Sequence, residues 1–409
     1  APTEIYTLSL HDALPIFQAT IALRDAKSRE VAYADDYRFH PDPALRFVIP
    51  ETGEYLLEIR DSIYRGREDF VYRVTLGEIP FVTSVFPLGC RAGSETIVAL
   101  EGWNLPVNSV VFHAQNLQPG RYPLNPTALG HGLKPVPFAV DALPESQEQE
   151  PNPNRQSAQA VRLPVIVNGL IHQAGDTDVF LFEGKAGETV VLAVTARQLN
   201  SPLDAVLTLT DARGRQLAFN DDQIDPAAGL LTHHADSYLH CSLPADGCYF
   251  VHLADAQNQG GSAYAYRLRL SPPQADFHLR LTPATLNARA GSTLPLTVHA
   301  LRQDGFDGPI HLKLTDSPDG FKLDGNWLPA GQAQTRIALT VPTTPLPTPC
   351  SLRLEGRATI DGVEVVRPVL PCEDMMQAFF YRHLVPAKQW IVSVSGPPRR
   401  PRQPPVSSP

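Results

Sequence analysis

The stretch from Ala205 to Leu270 occurs twice in this chain of 409 residues, and that constrains the fold more than any single motif. AVLTLTDARGRQLAFNDD (205–222) matches ATIALRDAKSREVAYADD (19–36), with Asp25 over Asp211, Arg29 over Arg215 and Asp35-Asp36 over Asp221-Asp222; the offset is 211 − 25 = 186 residues. LPADGCYFVHLAD (243–255) matches IPETGEYLLEIRD (49–61), and YAYRLRL (264–270) matches FVYRVTL (70–76), now at 255 − 61 = 194. The second copy therefore carries eight more residues, placed most simply between Asp222 and Asp236.

A repeat of this length is one supersecondary unit used twice. Leu207/Leu209, Tyr249/Val251/Leu253 and Tyr264/Tyr266/Leu268/Leu270 alternate with neighbours facing the other way, as do Ile21/Leu23, Tyr55/Leu57/Ile59 and Phe70/Tyr72/Val74/Leu76. Period two marks half-buried antiparallel strands, and turn-forming clusters such as Asp-Ala-Arg-Gly (211–214) and Pro-Ala-Asp-Gly (244–247) separate them. The expected fold class is all-β, with tandem β-sandwich or jelly-roll and Ig-like domains. A proline count of 40, about twice the ordinary share, suits many short strands with punctuated turns.

Residues 146–204 give the second copy a front half without a match in the first. Where that half would lie, TLSLHDALPI (7–16) is what ACT CTT TCC CTA CAC GAC GCT CTT CCG ATC encodes. Residues 3–16 thus resemble a sequencing-library adapter translated in frame. Residues 1–16 are accordingly set aside as artefact, and 17–77 are expected to be the C-terminal half of a sandwich.

A net charge of −9 gives a nucleic-acid surface no electrostatic support, and no apolar run is long enough to span a bilayer as a helix. His-Glu-x-x-His, Gly-x-Ser-x-Gly and phosphate-cradling glycine loops do not occur, so no catalytic residue is assigned and the chain reads as non-enzymatic. His233-His234 reads as a solvated loop pair. Five cysteines lie at 90, 241, 248, 350 and 372; Cys241 with Cys248 and Cys350 with Cys372 are close enough in the strand pattern to bond, and all five also suit small buried apolar positions.

FVTSVFPLGCRAGSETIVALEGWNLP (81–106) resembles the start of an IPT/TIG domain, which implies an Ig-like fold for 78–141; Trp103 reads as a core or corner residue rather than a sugar platform. Residues 142–159 are polar and acidic and read as a linker overlapping the next domain. Glu-Pro-Asn (150–152), Gly-Asp-Thr-Asp-Val-Phe (175–180), Lys-Ala-Gly-Glu (185–188), Ser-Pro-Leu-Asp (201–204), Asn-Asp-Asp (220–222) and Ala-Asp-Gly-Cys-Tyr (245–249) together resemble the bacterial pre-peptidase C-terminal domain, complete over 146–272. That family is a β-sandwich appended to secreted peptidases and other exported proteins, and is similar to the collagen-binding domains of clostridial collagenases. Residues 274–372 look Ig-like, 373–396 should hold a short helix (375–384) and a strand (389–395), and 397–409 read as a disordered tail.

Acidic residues present in both copies are one candidate calcium constellation: Asp221, Asp222 and Asp236 with Asp35, Asp36 and Asp42, alongside Asp255 with Asp61. Calcium takes six to eight oxygen ligands, which acidic loops supply; Asx turns explain single aspartates equally well. The resemblance implies a second set at Glu148, Glu150, Asn152, Asp176 and Asp178, weakened by Pro153 where the relatives carry an acid. The expected function is an extracellular or cell-surface binding array for protein or polysaccharide, with an accessory tail of a secreted peptidase as the alternative and a plain spacer as the third reading. Tyr238, Tyr249, Tyr264 and Tyr266 are expected mostly in the core.

Overall fold

The computed structural model describes residues 5–11, 18–40, 42–66, 68, 70–124, 135–224, 235–376 and 382–396, with backbone alone for 5–11, 376 and 382. His233-His234, the tail 397–409 and most of the expected eight-residue insertion lie outside the described residues. The chain divides into two compact units, one of residues 1–225 with 231–273, the other of 274–409 with 226–230.

In the first unit, the first copy comprises β1 (Ile5–His11), β2 (Ala19–Arg24), β3 (Glu30–Ala34), β4 (Ala44–Val48), β5 (Leu56–Asp61) and β6 (Arg73–Gly77). They form two three-stranded sheets, β3-β2-β5 and β4-β1-β6. The next module has β7 (Phe81–Phe86), β8 (Gly89–Arg91), β9 (Glu95–Trp103), β10 (Ser109–His113), β11 (Gly120–Leu124) and β12 (Val136–Asp141), ordered β10-β9-β7 and β11-β12-β8. Val85, Val98, Leu100, Phe138 and Val140 fill the space between those sheets.

The complete copy has β13 (Glu145–Gln147), β14 (Gln159–Ala160), β15 (Val165–Leu170), β16 (Thr177–Gly184), β17 (Thr189–Thr195), a 3-10 turn at Arg197–Leu199, then β18 (Ala205–Asp211), β19 (Gln216–Asn220), β20 (Tyr238–Ser242), β21 (Gly247–Asp255) and β22 (Ala265–Ser271). Sheets β13-β15-β22-β17-β20 and β14-β16-β21-β18-β19 face each other across Phe180, Phe182, Leu207, Leu209, Val251, Leu253 and Leu268. Of these, Leu207, Leu209, Val251, Leu253 and Leu268 are inward positions that period-two alternation marked. The stretch read as a linker is not a free tether, since β13 and β14 run parallel along the edges of the two sheets.

The strands common to both copies share one topology. Strands β3-β2-β5 match β19-β18-β21, and the same irregularity of register falls between Leu23 and Arg24 and between Leu209 and Thr210. Strand β1 occupies, between β4 and β6, the slot that β17 has between β20 and β22, antiparallel to both neighbours. Setting residues 5–11 aside from the fold is therefore corrected: their backbone is a central strand. No described residues of the first copy correspond to β13, β14, β15 or β16. Its buried apolar cluster is accordingly small, Ala19, Ile21, Leu23 and Leu45, whereas Leu56, Ile63, Tyr64, Tyr72 and Leu76 are exposed.

The three modules of this unit pack together. Tyr37 sets its ring edge-on to Phe81 at 5.0 Å, and Phe81 stacks on Trp103 at 4.8 Å, so Trp103 is a corner residue. Arg38 Nη1 donates to Asn200 O at 2.6 Å, and the Arg197 guanidinium lies 3.3 Å from the centre of the Phe39 ring.

In the second unit, β23 (Asp276–Thr282), β24 (Thr285–Arg289), β25 (Thr293–Gln303), β26 (Ile310–Thr315), β27 (Lys322–Asp324), β28 (Trp327–Leu328), β29 (Gln334–Thr340), β30 (Cys350–Ile360), β31 (Val363–Met376), β32 (Arg382–Pro386) and β33 (Trp390–Ser395) enclose Phe277, Leu279, Val298, Ile337, Leu354 and Trp390. The turn between β30 and β31 is Asp361-Gly362, both with positive φ, as a two-residue hairpin needs. Residues 375 and 376 end β31, and 382–384 open β32, so the helix expected over 375–384 is corrected to strand at both ends, with 377–381 outside the described residues. Pairing of β31 with β30 stops at Pro368, after which β31 joins β23 and β32, so Cys350 faces Val392 and Cys372 faces Pro386. Cys241 and Cys248 likewise belong to opposite sheets, on β20 and β21. All five thiols are free.

Candidate metal centre

Strand β13 delivers the chain to the end of β15, and residues after it fold across the gap between the sheets toward the turn before β16. Glu150, Asp176 and Asp178 converge there, with ligand atoms within 4.8 Å of one another, and Glu148, Glu150 and His172 form an overlapping set. Asn152, fully buried, ties the loop down: its N donates to Glu150 Oε2 at 2.8 Å and its Nδ2 to Glu148 Oε1 at 3.1 Å. Leu170 N donates to Glu148 Oε2 at 2.8 Å, and Asp176 receives His172 N and Thr177 N at 2.8 and 2.9 Å. A Cβ at Gly169 would overlap both the Tyr266 hydroxyl and the Glu148 carboxylate, so glycine there is a requirement of the site.

Asp178 is wholly buried, and Tyr266 donates to its Oδ2 at 2.6 Å. Its Oδ1 and the Oδ1 of Asn152 are buried acceptors without a hydrogen-bond partner. Buried polar atoms are almost always satisfied, and two orphaned oxygens beside three further carboxylates are what a hard cation would complete. Burial, followed by the hydrogen bond and charge of Glu148, pushes the Asp178 carboxyl up to about 10. The same surroundings raise the Tyr266 phenol well above its ordinary range, with burial first and Asp178 next. The five residues that the resemblance implied thus come together.

The other three do not join them. Asp236 is buried under the 3-10 turn, where its carboxylate accepts from the backbone N of Ala196, Arg197 and Gln198 at 3.0, 2.7 and 3.2 Å. Asp221 and Asp222 are exposed just beyond β19, which lies at the far edge of the sheet that contains β16. The repeated aspartates have structural roles. Asp25 and Asp211 each accept two backbone N–H groups and the guanidinium of the arginine four residues on, and the backbone bond from that arginine leads in holding both carboxyls below their usual range. Asp255 receives Gln257 N and Gln259 N, and Asp61 receives Arg65 N. Repetition here follows from turn chemistry.

Sequence reasoning missed His172, which closes the mouth of the centre with Nδ1 3.3 Å from Glu150 Oε1. It also missed Arg267. Next to Tyr266 on β22 but facing the other way, Arg267 is 2% exposed and donates to Asn168 Oδ1 at 2.7 Å, Asp141 Oδ2 at 2.6 Å and Glu145 Oε1 at 2.7 Å. Asp141 ends β12, so this cation joins the Ig-like module to the sandwich. An alternating strand suggests a solvated outer face, and only the neighbouring module buries it.

These features define a chain of tandem β-sandwiches with an acidic centre at the edge of the complete one. No family model matches the chain. A probable subtilase-type serine protease of Deinococcus radiodurans is 40% identical over 80 residues, 19% of this chain and 10% of that protein. The chain thus spans about a tenth of the length of this curated relative. Among solved structures, the pre-peptidase C-terminal domain of a Bacillus anthracis collagenase matches at 14% identity and a TM-score of 0.23, over 30% of this chain and all of that one. The D0-D1 domain of intimin matches at 10% identity and a TM-score of 0.17, over 48% of this chain and 91% of that one.

Proposed function

We propose that this chain is a non-catalytic binding region of an exported bacterial protein, with extracellular protein or polysaccharide as its partner and calcium as the ion that completes its full sandwich. On this reading residues 78–141 are an IPT/TIG-type module. Among the described residues no helix is long and apolar enough to cross a membrane. The observation that carries the calcium reading is the pair of orphaned, buried oxygens, Asp178 Oδ1 and Asn152 Oδ1, at the convergence of Glu148, Glu150 and Asp176. Calcium should raise the melting temperature of the full chain relative to chelator, as any ligand of the native state does. Asp178→Asn should remove most of that rise. An unchanged melt would take calcium out of the account.

The raised Asp178 carboxyl adds a pH dependence. In the empty centre it holds its proton at neutral pH, so calcium binding must release it. Affinity is then expected to rise about tenfold per pH unit from pH 6 to 8, and a flat profile by calorimetry would refute a protonated Asp178. Without calcium the sign reverses. A carboxyl raised in the fold favours the folded state fully below its unfolded value of 3.8, and that contribution is lost as pH rises toward about 10.

The second reading, an accessory region of a secreted peptidase, is favoured by the 80-residue likeness to the subtilase-type protease. A long read of the source DNA across the codon for Phe17 separates the two: a peptidase domain encoded upstream supports the accessory reading, and further β modules support the binding array.

A further inference from the structure

The three tryptophans of the chain have unlike surroundings. Trp390 is 2% exposed in the core of the second unit, and Trp103 is stacked on Phe81. Trp327, on β28 of the second unit, is 48% exposed. An indole left in water forgoes the burial that places most aromatic side chains inside, and tryptophan is enriched where binding energy is concentrated.

Register gives Trp327 its neighbours. It lies opposite His311 on β26, His311 opposite Arg357 on β30, and Arg357 opposite Val366 on β31. Directly paired residues share one side of a sheet, so these four form a row across four strands, about 14 Å long at the usual strand spacing. The row is on the outer face. Ile310, Leu312, Leu328 and Ala358 point the other way into the core, whereas His311 and Lys313 are exposed and Val366 is 38% exposed.

The His311 and Trp327 rings meet edge to face, 6.2 Å apart at 70°. Asn326 Nδ2 donates to His311 Nε2 at 3.1 Å, which puts the ring proton on Nδ1. Among the described residues His311 Nδ1 and Asn326 Oδ1 make no further hydrogen bond, so one donor and one acceptor stand beside the exposed indole. The charges of this face balance within it. Arg357 pairs with Glu355 at 2.7 Å and with Glu364 at 3.3 Å, and Lys313 lies opposite Glu355 on the neighbouring strand.

A flat aromatic ring with a donor and an acceptor at its rim, in a charge-balanced surface, suits a neutral pyranose. The sugar carries C–H bonds on its faces, which meet the negative face of the indole, and hydroxyls on its rim, which reach an amide and an imidazole. An acidic polymer calls for an excess of cations, and a stable protein interface for a broader apolar centre than Trp327 and Val366 supply. We infer that the outer face of β28, β26, β30 and β31 is a binding site for neutral hexopyranose polysaccharide, with Trp327 as the stacking platform and Asn326 and His311 as partners of the sugar hydroxyls. The inference rests on the binding-region reading and deepens it to one site and one ligand class.

The full chain is run on native gels cast with hydroxyethyl cellulose, laminarin or pullulan, three neutral glucans, and with alginate as an acidic polymer; the tryptophan emission is followed as the same polymers are added. At least one glucan should retard the wild type and shift its emission. Trp327→Ala should weaken that glucan about tenfold or more, the loss expected of an anchor residue, with an unchanged melting temperature because the side chain is exposed. Trp327→Phe should keep binding within about threefold, since a flat ring remains, while the emission shift disappears. Asn326→Ala should weaken binding without abolishing the shift. A glucan bound equally by wild type and Trp327→Ala overturns this site and leaves the binding-region reading standing. Alginate bound as tightly as the glucans overturns the neutral class, and no retardation by any of the three glucans overturns the inference outright.

Discussion

Replacing Arg267 with alanine should destabilise the first unit by about 3–5 kcal/mol, the usual loss when one partner of a buried ion pair is removed. Arg267 is 2% exposed and carries two carboxylates and an amide on its guanidinium. The variant leaves Glu145, only 17% exposed, without its counter-charge, while Asp141, at 40%, regains water and softens the loss. Lysine should recover only part of it, because one ammonium cannot reproduce the planar fork that spans Asn168, Asp141 and Glu145. Denaturant unfolding of wild type, Arg267→Ala and Arg267→Lys measures both effects. A loss under about 1 kcal/mol for alanine, the level of an exposed pair, would show that the clamp contributes little. A Cβ at Gly89 would overlap the Arg267 guanidinium and the Ala139 carbonyl, so Gly89→Ala should disturb the same junction from the other side.

Limited proteolysis of the full chain should cut within residues 18–77 well before it cuts the complete sandwich. The first copy buries Ala19, Ile21, Leu23 and Leu45 where the second encloses a cluster extending from Val165 to Leu270. Leu56 is 60% exposed, Ile63 63% and Tyr64 80%. Each large apolar side chain left in water forgoes about 1.5–3 kcal/mol of burial, so local opening is easy here. Trypsin, with sites at Arg24, Lys27, Arg46 and Arg60, should cleave this segment at least tenfold faster, the factor that about 1.4 kcal/mol of lower opening free energy gives. Survival of 18–77 alongside 146–272 would sink the half-sandwich account.

The strands were legible because their signal is local. Alternation at Leu207/Leu209 and Tyr249/Val251/Leu253 needs one wet face and one dry face, and the Asp361-Gly362 dipeptide states its own turn. Five residues of the centre were legible only through resemblance, as Glu148 and Asp178 are 30 positions apart and nothing in their spacing joins them. Repetition of acids misled for a physical reason. Asp25 and Asp211, like Asp61 and Asp255, recur because the same turn must be closed in each copy, whereas Asp236 caps a 3-10 turn.

By itself, then, the sequence determined an all-β chain, a unit used twice and the inward face of most strands, all consequences of side-chain period and turn chemistry within a few residues. Tertiary structure alone decided that β1 lies between β4 and β6, that β31 leaves β30 at Pro368 and keeps Cys350 from Cys372, and that Tyr266 and Arg267 serve two separate polar sites from opposite faces of one strand. These depend on which sheet edge or module covers a residue. Coverage sets desolvation, and with it whether a carboxylate such as Asp178 calls for a proton or a cation.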